Sequence, residues 1–205
     1  MKPIALDVDT GVDDALALML ALRSPELRLE AVTTVAGNCP VHFATRNTRL
    51  VLDVAQAPAE LPVAQGAACP LARKLTTAGE VHGSDGLGNV TGVYPAPKHP
   101  LAAQDAPALL LETIKRLGAE LTLVATGPMT NLEQAVRRDR EAFRRVGEIV
   151  QMGGALRVPG NTSETAEFNL YVDPEAAAAV LATGVPLRLV PLDVTQQAVL
   201  LRQEV

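Results

Sequence analysis

Six short apolar runs, most of them followed by a segment of helical character, constrain this chain more than any other feature. The runs cover residues 3–6, 29–36, 61–64, 121–125, 148–152 and 187–190. Their length and richness in Val, Leu, Ile and Thr predict strands buried on both faces. Between them, residues 15–22, 41–55, 105–117, 131–137 and 174–181 read as helices, with a further helical turn over 140–145. Asp105 is placed to cap the third helix and Gly118 to stop it. Residues 15–22 are apolar almost all round, which predicts a buried helix. In the second helix Ala44, Val51 and Val54 are available for the core, with Arg46 and Arg49 outside. Such alternation is the pattern of an α/β fold: an open, mainly parallel sheet with helices on both faces. No linker or internal repeat divides residues 1–205, so one domain is expected. Residues 196–205 read as the start of a helix with no cap, and the expectation is that sequence is missing beyond Val205.

The turn after the first run carries four carboxylates: Asp7-Val8-Asp9-Thr10-Gly11-Val12-Asp13-Asp14. Two like charges about 4 Å apart repel by about 4 kcal/mol at an effective dielectric of about 20. No Lys or Arg precedes Arg23 except Lys2 at the start of the chain, so protons or a hard, oxygen-seeking cation must offset the repulsion. One acid suffices to cap a helix; four point to a functional site. An EF-hand does not fit, because Gly11 occupies a ligand position and no Glu closes the loop.

Other strand ends add polar groups. Asn38 follows the second run, Thr126 the fourth, and Asn161, Glu167 and Asn169 lie in the loop after the fifth. In a parallel sheet these ends share one edge with Asp9, Asp13 and Asp14. Singly, the asparagines read as turn residues, Thr126 as a helix-entry cap and Glu167 as solvated surface. Together they describe a pocket of carboxylates and amides with few cations, suited to a hydroxyl-rich neutral ligand with a divalent ion rather than to phosphate. The long irregular stretch over 66–104 is centred on His82-Gly83-Ser84-Asp85-Gly86-Leu87-Gly88, whose glycines suit a mobile lid.

The net charge of −5 gives no reason to expect nucleic acid or an anionic membrane surface as partner. No run approaches a membrane span and no secretory leader is evident. Cys39 and Cys69 match no zinc spacing, and a cytoplasmic location is expected.

The opening Asp7–Ala15 motif resembles the N-terminal signature of the inosine-uridine-preferring nucleoside hydrolases. The resemblance continues in order through Thr33–Asn38, His82-Gly83, Thr126–Asn131, Met152-Gly153-Gly154, Gly160-Asn161, Ala166–Asn169, Asp173–Ala177 and Leu192–Thr195. It implies a Rossmann-like core and calcium-dependent hydrolysis of ribonucleosides. It implies Ca2+ held by Asp9, Asp14 and the main-chain carbonyl of Thr126, with Asp9 as general base. Asp13, Asn38, Met152, Asn161, Glu167 and Asn169 then form the ribose side of the pocket, and His82 closes over the base. A homo-oligomer, dimer or tetramer, is also implied. The family normally has proline where Thr10 stands, a change expected to alter only the rigidity of the turn. It also supplies a further calcium-binding aspartate, and in many members a leaving-group histidine, from beyond the position of Val205. His42 and His99 are not convincing acids, so the activity of this polypeptide by itself is in question. One rival reading is a noncatalytic ribose- or nucleoside-binding homologue. Another is a magnesium phosphohydrolase of the haloacid dehalogenase type, with Asp7 as nucleophile and Asp9 as acid-base residue.

Overall fold

The computed structural model describes residues 1–199. Strands β1 (Lys2–Val8), β2 (Leu27–Thr34), β3 (Val63–Gln65), β4 (Thr122–Ala125), β5 (Glu148–Met152) and β6 (Leu187–Val190) form one sheet in the order β3-β2-β1-β4-β5-β6. Every pairing is parallel. The helices are α1 (Val12–Arg23), α2 (Val41–Val54), α3 (Gly79–His82), α4 (Ala106–Leu117), α5 (Thr130–Arg138), α6 (Arg140–Phe143), α7 (Phe168–Val172), α8 (Pro174–Leu181) and α9 (Leu192–Thr195).

The period of two along β1 assigns the faces. Ile4, Leu6 and Val8 pack with Leu18 and Ala21 of α1 and with Val51 and Leu52 of α2. Ala5 points the other way, into a core built from Leu109, Leu110 and Ile114 of α4, Leu132 and Ala135 of α5, and Ala177 and Val180 of α8. The sheet is therefore covered on both sides. Asp105 accepts a hydrogen bond from Ala108 N at 3.2 Å to open α4, and Gly118, at φ +54°, ends it. The chain winds outward through β2 and β3, then returns to pair β4 against β1. That reversal opens a crevice beyond the carboxyl ends of β1 and β4, where Asp9 and Thr126 stand.

The structure corrects several expectations. Helix α1 is not buried all round: Leu18 is fully buried, whereas Leu16 and Leu20 are 49% and 71% exposed, because only one face meets the sheet. Val54, near the end of α2, is exposed rather than in the core. Arg46 and Arg49 are half-buried, donating to the carbonyls of Thr91 and of Pro97 and His99, so they hold the long loop down. The stretch after His82 is not a free lid. Buried Asp85 accepts from the backbone N–H groups of Leu87, Asn89 and Thr91 and from the Thr91 hydroxyl. Burial works against its charge, but these bonds outweigh it and hold its pKa at about 2. The helix expected from Gln196 is replaced over residues 192–197 by α9 and a turn; residues 200–205 lie outside the described residues. Among the described residues no helix is long and apolar enough to cross a membrane.

Candidate active site

Nine of the ten sequence-predicted residues line one cavity of about 590 Å³ at the crevice: Asp13, Asp14, Asn38, His82, Thr126, Met152, Asn161, Glu167 and Asn169. Among the described residues no Lys or Arg lines it. The tenth, Asp9, is wholly buried and meets the lining through the Asn38 N–H that its carboxyl accepts.

The two central acids are held differently. Asp14 Oδ1 accepts from the Thr126 hydroxyl at 2.5 Å; its Oδ2 accepts from Gly11 N at 2.8 Å and from Asn38 Nδ2 at 3.2 Å. Asp9 Oδ2 accepts from Asn38 N at 2.7 Å, while its Oδ1 is buried with no partner. Burial pushes both carboxyls up; the charge of Asp14 adds to it at Asp9, and that of Asp13 adds to it at Asp14, which is raised to about 6. The backbone makes room for this carboxylate: a Cβ on Gly37 would stand 2.1 Å from Asp9 Oδ2, and one on Gly127 3.0 Å from Oδ1. An orphaned buried oxygen, two clustered acids and hard oxygen donors fit a small divalent cation. Among the described residues no group of three His, Cys, Asp or Glu side chains is placed to hold a metal, so further ligands would be carbonyl or amide oxygens or water. The Thr126 carbonyl already accepts from Asn169 Nδ2 at 2.7 Å.

On the other wall, Glu167 is not solvated surface. It is 2% exposed and caps α7, accepting from the backbone N–H groups of Asn169, Leu170 and Gly154. Burial raises its pKa despite those bonds. Asn169 reaches back to the Met152 carbonyl at 3.1 Å, tying α7 to the end of β5. Asn161 is exposed at the rim and accepts from Phe168 N at 2.9 Å. His82 Nδ1 accepts from Val12 N at 3.2 Å and lies 3.8 Å from Asp13, which is exposed.

The inosine-uridine preferring nucleoside hydrolase family model matches residues 4–205. The chain belongs to that family. It is 42% identical to the pyrimidine-specific ribonucleoside hydrolase RihA of Shewanella sp. (strain MR-7) over all of its length and 63% of the relative's. It is 41% identical to the probable uridine nucleosidase 2 of Arabidopsis thaliana, covering 97% of this chain and 62% of that protein. The plant nucleoside hydrolase PpNRh1 superposes with a TM-score of 0.90 at 38% identity, over 96% of this chain and 61% of that one. A purine-preferring ribonucleoside hydrolase from Gardnerella vaginalis gives 0.89 at 34% identity, over 96% and 62%. The chain thus spans about three fifths of the length of these relatives.

Within this nucleoside hydrolase core the phosphohydrolase alternative fails on geometry. Asp7, its required nucleophile, is fully buried and accepts from the Thr33 hydroxyl and from Asn131 Nδ2 at 2.7 Å, away from the cavity. Sequence reading missed the cavity wall made by Thr76, Thr77, Ala78, Glu80 and Val81, together with Ala17 and Phe168. Proximity to the His82 motif was a usable signal for the first five. It also missed what Thr10 does: its hydroxyl lies 2.6 Å from that of Thr48 on α2, so it does more than alter the stiffness of the turn.

Proposed function

We propose that this chain is the core of a calcium-dependent ribonucleoside hydrolase, which cleaves the N-glycosidic bond to release free base and ribose. The observation that carries this reading is the convergence of acids and amides on one nucleoside-sized cavity that, among the described residues, no Lys or Arg lines. Asp9, Asp14 and the Thr126 carbonyl would hold the ion. When bound, calcium supplies the charge that offsets the buried acid pair and the Lewis acidity that activates water.

The remaining chemistry belongs to the chain. Asp9, through its unpartnered Oδ1, takes a proton from the attacking water. Asp13, exposed at the rim, hydrogen-bonds the ribose 2′-hydroxyl. Asn161, Glu167 and Asn169 orient the sugar, and their oxygens stabilise the positive charge that grows on it as the bond to the base breaks. Asn38 holds Asp9 and Asp14 in place through its backbone and side-chain N–H groups. Met152 supports the ribose side through its contact with Asn169. His82 covers the base. A cytoplasmic location, a single-domain organisation and self-association as a dimer or tetramer complete the reading, the last on the family resemblance alone.

The test is release of free ribose from inosine, uridine, cytidine and adenosine, with calcium and with a chelator. Calcium-dependent release is the expected outcome. A folded chain that binds nucleoside without turnover would instead support the binding-only reading.

A further inference from the structure

We infer that Asn47 is a positioning residue that couples the acidic turn to the loop carrying His82. Asn47 sits on α2, is wholly buried, and is not among the residues that line the cavity. Its Nδ2 donates to two main-chain carbonyls, Thr10 O at 3.2 Å and Asp85 O at 2.8 Å. Both are acceptors, so the amide nitrogen must be the group that faces them. Its Oδ1 is buried with no partner. The unpartnered oxygen is a cost, and it comes with the amide nitrogen that satisfies both carbonyls. What it does supply is a link between two segments that are far apart in sequence.

The two segments are the two sides of the site. Thr10 lies between Asp9 and Asp14. Asp85 anchors the turn whose Gly88 N donates to the His82 carbonyl at 2.7 Å. His82 Nδ1 in turn accepts from Val12 N, back on the acidic turn. The circuit from acidic turn to Asn47, to Asp85, to His82 and back to Val12 is closed. Its fit is tight: Gly86 is held at φ +83°, and a Cβ there would stand 2.8 Å from Asn47 Nδ2. The two buried Asn47 bonds hold the acidic turn and the Asp85 turn in one relative geometry, and the more exposed Val12–His82 bond closes the circuit at the cavity. Asn47 therefore acts through Asp9, Asp14 and His82 without touching substrate.

The inference takes the meaning of the acids and His82 from the hydrolase reading above, and its test is separable from it. Asn47→Ala and Asn47→Asp are compared with the parent chain, with folding checked by circular dichroism. The Asp variant keeps the volume and turns an oxygen toward the two carbonyls. The first readout is the ring proton resonance of His82, assigned with His82→Gln. The second is calcium affinity by calorimetry. Both variants are expected to shift the His82 resonance and to weaken calcium binding by roughly 10-fold or more. Thr48→Val, which removes the hydroxyl contacts to Thr10 and to the Ala44 carbonyl, is expected to leave the His82 resonance in place. An unmoved His82 resonance in folded Asn47→Ala overturns the inference, as does an equal shift in Thr48→Val. Unfolding of both Asn47 variants also overturns it, since the residue would then serve the fold alone. A parent chain that neither binds calcium nor releases ribose defeats the hydrolase reading, while the His82 comparison still decides the role of Asn47.

Discussion

Asp9 is expensive for the fold, and the hydrolase reading makes it the proposed base and metal ligand of the site. Its carboxylate is wholly buried, one oxygen has no partner, and Asp14 lies close enough to raise its pKa further. Asp9→Asn keeps an oxygen for Asn38 N and removes the charge. In the chelated chain at pH 8 it is expected to raise stability by about 1–3 kcal/mol, seen as a higher denaturant midpoint. On the proposed calcium site, added calcium should stabilise the parent and the same change should abolish that gain, which a melting series with and without the ion would reveal. A destabilised Asp9→Asn in chelator would show that the carboxylate earns its place structurally. The residue types of this turn were legible from the sequence, because four acids between two apolar elements demand a counter-charge. Which acid is buried was not, because that depends on Gly37 and Gly127, from two other strand ends, closing over Asp9.

At the scale of elements, the boundaries of most strands and helices followed from periodicity and caps. Their burial did not. Helix α1 reads as apolar all round, yet only Leu18, Ala21 and Asp14 are buried. Leu18→Ala is expected to cost about 2–5 kcal/mol, and Leu20→Gln to stay within about 0.5 kcal/mol, both measured by chemical denaturation of this chain. Equal losses would show that both faces are covered in solution. The loop after His82 carries the opposite lesson. Its glycines read as hinges, but Gly86 is needed for close approach to Asn47 and Cys39, and Asp85 ties the turn down. Glycine spacing marks unusual backbone; only the contacts show whether that backbone moves.

For the whole molecule the buried acids set a pH dependence with a definite sign. Asp7 is raised from 3.8 to about 7 by burial, against the pull of its bonds to Asn131 and Thr33; Asp14 is raised to about 6. A folded-state value above the unfolded one gives stability that is full below 3.8 and lost as pH rises through 6 to 7. Asp85, lowered to about 2, acts in reverse, with stability present above 3.8 and lost as pH falls through about 2. The metal-free chain should therefore be more stable near pH 4.5 than at pH 8, by on the order of a few kcal/mol. Calcium should narrow the gap by stabilising the ionised acids at the higher pH. Denaturant midpoints at the two pH values, in chelator and in calcium, check both statements; a metal-free chain more stable at pH 8 would contradict the assignment of Asp7 and Asp14.

Beyond Met152 and His82, which rest on the family resemblance, the sequence by itself determined the α/β class, the edge of the sheet at which the site lies, and seven of its lining residues. Those follow from local period, from the acids after the first strand, and from the rule that parallel strands end on one side. Only the tertiary structure decided that Asp9 is wholly buried, that Asp7 is out of reach, that Glu167 caps a helix, and that the His82 loop is pinned through Asp85 and Asn47. The reason is physical. Periodicity and capping act within a few residues, whereas burial and hydrogen-bond satisfaction depend on which distant segments arrive at the same place.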